Sequence, residues 1–374
     1  MTVTDILRRL IGFPSVVGRP NGDIAGWIAD YLESHGAKVQ LLTGPEGDRC
    51  NLFASLGPAD VPGYIVSAHM DVVPAGEAGW STDPFVLRAD GDRLYGRGTS
   101  DMKGYIAAAL AAVPTIASLK LARPVHFAFS YDEEAGCIGV PHLIARLPEL
   151  CAAPLGAIIG EPSSLTAIRA HKGKAAARLT VTGRPGHSSR PDLGLNAIHA
   201  MADVLAVAVR TADSLTAGPL DEVFAPPYSS LQVGTIGGGR AVNIIPDSCV
   251  IDLEARAIAG VDPASLLAPV RAVAEGLVGR GYGAIWQTLS AYHALSLPAD
   301  APLVGLLEAL TGRPSIAAVS YGTEAGLYQA AGIPAIICGP GDIDRAHKPD
   351  EYIRAGELSE AEAMIAALGR HCAL

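Results

Sequence analysis

Aromatic residues are scarce in this chain. Phe, Trp and Tyr together make up 5% of its 374 residues, although hydrophobic residues reach 49%. A core drawn from such a pool is aliphatic and alanine-rich, which suits helices laid on a sheet. Long hydrophobic runs are missing too. The longest candidate, residues 106–117, is mostly alanine, contains Pro114, and falls short of the roughly 18 apolar residues a membrane span requires. Asp5, Arg8 and Arg9 occupy the region where a secretory leader needs an apolar stretch. Positive charge is in deficit, with 28 Lys and Arg against 38 Asp and Glu and a net charge of −10. No basic run could follow a phosphate backbone, so neither nucleic acid nor a membrane is an expected partner. The six cysteines, at positions 50, 137, 151, 249, 338 and 372, form no CxxC pair. A reduced, cytoplasmic chain is the simplest expectation. The 42 Gly and 27 Pro are spread along the chain without repeat or low-complexity segment, which argues against disorder.

The length admits one large or two medium domains. Short apolar runs at residues 64–68 (YIVSA), 125–130 (VHFAFS) and 157–160 (AIIG) have the character of buried strands, each ending at a polar cluster. Residues 24–35 and the alanine-rich 105–119 have that of helices. Strand, helix, strand in this order predicts an α/β domain with a mostly parallel sheet. After about residue 173 the pattern changes. Segments 175–183, 231–236 and 249–257 alternate, as strands with one solvated face do, and helices fit 196–210 and 263–280. Residues 334–338 (PAIIC) return to the buried type. The expected organisation is therefore a first domain of residues 1–173 and 289–374, interrupted by a smaller α+β insert of residues 174–288.

The chemistry-bearing residues sit just past the expected strand ends, where open α/β sheets place their sites. His69 and Asp71 follow the first run in SAHMDVVP, and Asp101 lies in GRGTSDMKG directly before the alanine-rich helix. Glu133 and Glu134 follow the second run in SYDEEAG, Glu161 the third in IGEPSS, and His347 the late run in RAHKPDEY. Any one of these is unremarkable; their recurrence at converging strand ends is not. Carboxylates crowded there repel one another and lose hydration, so a compensating cation is expected. Mixed imidazole and carboxylate donors suit Zn²⁺ or a similar divalent ion, and two histidines with three acids suffice for two ions if one acid bridges.

The set HMD, GRGTSDMKG, DEE, GEPSS and AHKPDE resembles the co-catalytic zinc amidohydrolase and peptidase family, in order and over nearly the whole chain. That family includes acetylornithine deacetylases, succinyl-diaminopimelate desuccinylases, aminoacylases and related carboxypeptidases. Residues 159–173, 186–198, 321–326 (YGTEAG) and 339–352 look most like its acetylornithine deacetylase branch. The resemblance implies two Zn²⁺ ions, for which Co²⁺ could substitute. Asp101 would bridge them, His69 and Glu161 would complete one position, and Glu134 and His347 the other. Asp71 matches an acid that orients the His69 ring, and Glu133 matches the catalytic acid/base. Two adjacent acids can divide the tasks of ligand and base, but the spacing alone does not say which does which. The resemblance also implies a cis peptide between Asp101 and Met102. The insert would be a lid and dimerisation domain, giving a homodimer in which His187, in GRPGHSSRP, reaches the neighbouring subunit's site. Asn243, Arg256 and Thr323 match positions near bound substrate, a small N-acyl amino acid.

Competing chemistries lack their signatures. There is no GxSxG elbow, and Gly237–Gly239 has no strand-to-helix context for a nucleotide. Cys137 is expected to pack rather than attack, and His171 and Lys172 sit near the expected hinge. A non-catalytic member of the fold would have lost a ligand or the catalytic Glu; here all are present.

Overall fold

The computed structural model describes every residue except 77 and 320. It divides into two compact units. The first comprises Met1–Ala170, Leu295–Ala318 and Thr323–Leu374, the second His171–Ala294 and Val319–Gly322.

The first unit is built on a nine-stranded sheet. Its order is Lys38–Thr43, Cys50–Leu56, Val125–Ser130, Tyr64–His69, Gly156–Pro162, Ala335–Gly339, Ile168–His171 and Leu295–Ser296, with Ile316–Val319 also paired to Ile168–His171. Val125–Ser130, Tyr64–His69, Gly156–Pro162 and Ala335–Gly339 run parallel to one another, so their C-terminal ends open on one edge. The flanking Lys38–Thr43 and Cys50–Leu56 pair antiparallel. The parallel strands are buried almost throughout, which is why they read as continuous apolar runs rather than alternating ones. The helix Lys103–Ala117 lies between the sheet and the helices Val3–Ile11 and Ala355–His371. Its alanines permit close approach, and at Gly160 the Tyr105 ring takes the space of a side chain: a Cβ there would lie 1.9 Å from it. A separate three-stranded sheet of Arg88–Asp90, Arg93–Tyr95 and Tyr352–Arg354 ties the start of the chain's Gly-rich segment to its late segment.

The second unit is an antiparallel sheet in the order Ser230–Gly238, Ser248–Ala257, Gly173–Thr182 and Gly283–Tyr292, packed with the helices Ala197–Leu215 and Pro263–Gly276. Burial alternates strictly along Ser248–Ala257, with Cys249, Ile251, Leu253 and Ala255 turned into the core. Gly283–Tyr292 pairs with Gly173–Thr182 along its length, so the second unit extends beyond residue 289 to Ala294. Among the described residues no helix is long and apolar enough to cross a membrane. All six cysteines are free.

Candidate metal centre

The parallel strands deliver the polar residues to one edge. His69 ends Tyr64–His69, Glu161 stands near the end of Gly156–Pro162, and Glu133 and Glu134 occupy the turn after Val125–Ser130. Asp101 precedes the Lys103–Ala117 helix and is joined to Met102 by a cis peptide, as the motif resemblance implies. His347 lies beyond Ala335–Gly339 with its backbone at φ 59°.

Asp101 is the centre of the cluster. Its Oδ1 is 3.0 Å from His69 Nε2 and its Oδ2 is 3.1 Å from His347 Nε2. Glu134 Oε1 is 3.0 Å from the same His347 nitrogen, and Glu161 Oε1 is 3.9 Å from that of His69. The donor atoms of His69, Asp101 and Glu134 lie within 4.8 Å of one another, as do those of His69, Glu133 and Glu161. His347 is the open side of the group, 49% exposed, whereas His69, Asp101 and Glu161 are buried.

Electrostatics show what such crowding costs. Burial pushes the Glu133 carboxyl up to about 8, with the Glu134 charge adding to it. Glu161 is driven well above the carboxylate range by burial and then by the charges of Asp101 and Glu133. Asp71 rises to about 6, again through burial, although His69 opposes the rise. The His347 ring is held up to about 10, first by its hydrogen bond to Asp101 and then by that to Glu134. Acids in this density bind protons or cations, and imidazole with carboxylate donors fits a divalent metal.

Asp71 meets the His69 ring through its backbone carbonyl. The His69 Nδ1–H donates to the Asp71 backbone carbonyl at 2.9 Å, while the carboxylate stands 3.6 Å away. That bond places the proton on Nδ1 and leaves Nε2 free to serve as a ligand. The two carboxylate oxygens instead accept the backbone N–H groups of Glu133 and Glu134, both at 3.1 Å. Asp71 thus orients both the ring and the turn that carries the paired acids. Within that turn the two glutamates diverge: Glu134 faces His347, whereas Glu133 Oε1 accepts the Cys137 thiol hydrogen at 3.3 Å. The Cys137 thiol is buried and pushed well above its usual range, first by burial and then by the Glu133 charge, so it is no nucleophile.

Thr323 is fully buried, and its hydroxyl accepts the Ala325 N–H at 3.1 Å at the start of the helix Ala325–Ala330.

The second unit carries the other three candidates. His187 is exposed on the two-residue strand Gly186–His187, paired with Ile244–Ile245. The Ser189 backbone N–H donates to its Nδ1 at 3.2 Å, which leaves the proton on Nε2. Exposed Asn243 accepts the Ser188 N–H through its backbone carbonyl at 3.0 Å. A groove of about 790 Å³ runs beside them, lined in part by Ser188, Asn196, His199, Arg240 and Tyr282. Arg256 is engaged within its own sheet, with Nε on Glu254 at 2.6 Å and Nη1 on the Tyr292 hydroxyl at 3.2 Å. Lys172 is likewise structural: Nζ donates to the carbonyls of Pro226 and Tyr228, both at 2.7 Å.

The model of peptidase family M20/M25/M40 matches residues 65–371. The chain belongs to that family. This M20 member is 34% identical to an acetylornithine deacetylase of Proteus mirabilis, across 98% of this chain and 96% of that protein. It is 32% identical to one of Photorhabdus laumondii, across 99% and 97%. Among solved structures it is similar to an M20 family metallo-carboxypeptidase from Sulfolobus solfataricus, with a TM-score of 0.80, 17% identity and 98% of both chains covered. An aminopeptidase from Bacillus cereus aligns with a TM-score of 0.73 at 18% identity, over 98% of this chain and 96% of that one. These likenesses establish a hydrolase of the M20 fold whose donor set fits metal.

The M20 site contains residues that motif reading quotes without assigning. Arg97, in GRGTSDMKG, and Glu351, in AHKPDEY, form a buried ion pair under Asp101. Glu324, in YGTEAG, accepts the Ser130 hydroxyl hydrogen, and burial pushes its carboxyl up to about 7. The available signal was a charged residue inside a Gly-rich or site-bearing motif; the pairing itself is visible only in three dimensions.

Proposed function

We propose that this protein hydrolyses N-acetyl-L-ornithine to L-ornithine and acetate, a step of arginine biosynthesis in the cytoplasm, using two Zn²⁺ ions that Co²⁺ can replace. The observation that carries the metal chemistry is the Asp101 carboxylate, whose two oxygens face the Nε2 atoms of His69 and His347 at 3.0 and 3.1 Å. The substrate rests on the curated relatives at 32–34% identity, named acetylornithine deacetylases. In this reading His69 and Glu161 would hold one ion, Glu134 and His347 the other, and Asp101 would serve both. Such ions supply Lewis acidity towards the amide and acidify the attacking water. Glu133 takes a proton from that water and returns it to the departing amine nitrogen. The Nε2–H of His187 donates to the amide oxygen as negative charge gathers there. The second unit is the lid and dimerisation domain, Asn243 and Arg256 approach the substrate from it, and His187 serves the site of a second copy.

A panel of N-acyl amino acids tests the substrate. Kcat/KM for N-acetyl-L-ornithine is expected to exceed that for N-succinyl-diaminopimelate, N-acetylmethionine and a dipeptide by roughly tenfold or more. A different winner keeps the hydrolase and overturns the substrate.

Subunit mixing tests the shared site. His187→Ala is expected to keep its metal and lose about 10²–10³ in turnover. Exchanged with inactive Glu133→Gln, half the dimers are mixed and each holds one sound site, so up to about a quarter of wild-type activity returns. No recovery despite demonstrated exchange places His187 in its own subunit's site or outside catalysis.

A further inference from the structure

Two charged side chains are closed off from solvent beneath the metal centre. Arg97 Nη1 donates to Glu351 Oε2 at 2.8 Å, and the two side chains are 1% and 0% exposed. Glu351 Oε1 accepts the backbone N–H groups of Ser100 at 2.8 Å and of Asp101 at 3.1 Å. The same Arg97 nitrogen reaches the Lys348 carbonyl at 3.4 Å, next to His347. The Gly96 N–H donates to the Glu351 carbonyl at 2.9 Å, and Tyr95 pairs with Tyr352 in the small sheet. The segment that presents Asp101 and the segment that presents His347 are therefore joined by the small sheet and, under the cluster, by this ion pair.

Burying an ion pair is costly, and apolar replacements of similar volume often leave a fold equally stable. Stability alone does not account for it. Residues on the other side of the centre have different supports. His69 sits on a strand hydrogen-bonded on both sides, with its ring held by the Asp71 carbonyl, and Glu161 stands on a central strand. We propose that Arg97 and Glu351 are positioning residues chiefly for one cation position: they set the Asp101–His347 spacing, and with it the affinity of the ion that Asp101, Glu134 and His347 would hold. The ion that His69, Glu161 and Asp101 would hold shares Asp101 but takes its other two ligands from the sheet.

The inference rests on the two-ion reading above. Its test is a titration of the metal-free full-length protein with Co²⁺, read by calorimetry and by the visible absorption of the bound ion. Wild type is expected to bind in two steps. Glu351→Gln is expected to weaken one step by about 10–100-fold and the other, through the shared Asp101, by clearly less. Because that variant removes the negative charge facing buried Arg97, Arg97→Met/Glu351→Leu is titrated beside it; it removes both charges and the acceptor of the two N–H groups, and the same step is expected to weaken most. His347→Ala should weaken that step as well, and adding Glu351→Gln to it should cost less than Glu351→Gln costs alone. Equal weakening of both steps, or of neither, overturns the selective role. A wild-type protein that binds fewer than two ions overturns the two-ion reading itself.

Discussion

Glu133→Gln is expected to lower turnover by about 10²–10⁴ while bound metal stays at the wild-type level. The expectation follows from how the turn is built. Asp71 fixes the backbone of Glu133 and Glu134 together, yet their carboxyls leave in different directions, Glu134 to His347 and Glu133 to the Cys137 thiol. An amide at position 133 keeps the shape and the hydrogen-bond acceptor but cannot accept and return a proton. Elemental analysis beside steady-state kinetics separates the roles. Loss of an ion in this variant would exchange the assignments of the two glutamates, a real alternative because the Glu133 donor atom also lies within 4.8 Å of those of His69 and Glu161.

The second large effect is expected at Asp101. Each of its oxygens faces a different imidazole, so Asp101→Ala strips a donor from both cation positions at once. Its loss of metal should exceed the roughly 10–100-fold that removal of a supporting group costs, and activity should fall with it. Prolonged chelation of the wild type should have the same result, reversed by Zn²⁺ or Co²⁺. Full activity in a preparation shown by elemental analysis to be metal-free would falsify the metal mechanism.

Much of this was legible in the sequence because the central strands are buried on both faces. Their apolar runs give away both the strand and its polar terminus, and so His69, Glu133, Glu134 and Glu161 could be placed at one edge before any coordinates. Ser248–Ala257 was equally clear, since one solvated face imposes a period of two. Gly283–Tyr292 was hidden, because only its partner strand reveals it and the expected boundary at 289 cuts through it. Hydrogen bonds set by backbone direction were also out of reach. Sequence motifs could suggest that Asp71 serves His69, but not that a carbonyl performs that service while the carboxylate holds the Glu133–Glu134 turn. The hydrogen bond from the Ala325 N–H to Thr323 was hidden for the same reason: a hydroxyl two residues before a helix reads equally well as a ligand group or as a cap.

The strand order has a consequence for how the protein is made. Ala335–Gly339, near the end of the chain, inserts between Gly156–Pro162 and Ile168–His171, which are translated much earlier. A chain emerging from the ribosome must keep that slot open, with two apolar strand edges bare, until residues 335–339 arrive. His347 follows this strand, so it joins His69, Asp101 and Glu134 only after the slot closes. The interval before closure is when these strand edges are most exposed to unwanted pairing with neighbouring chains.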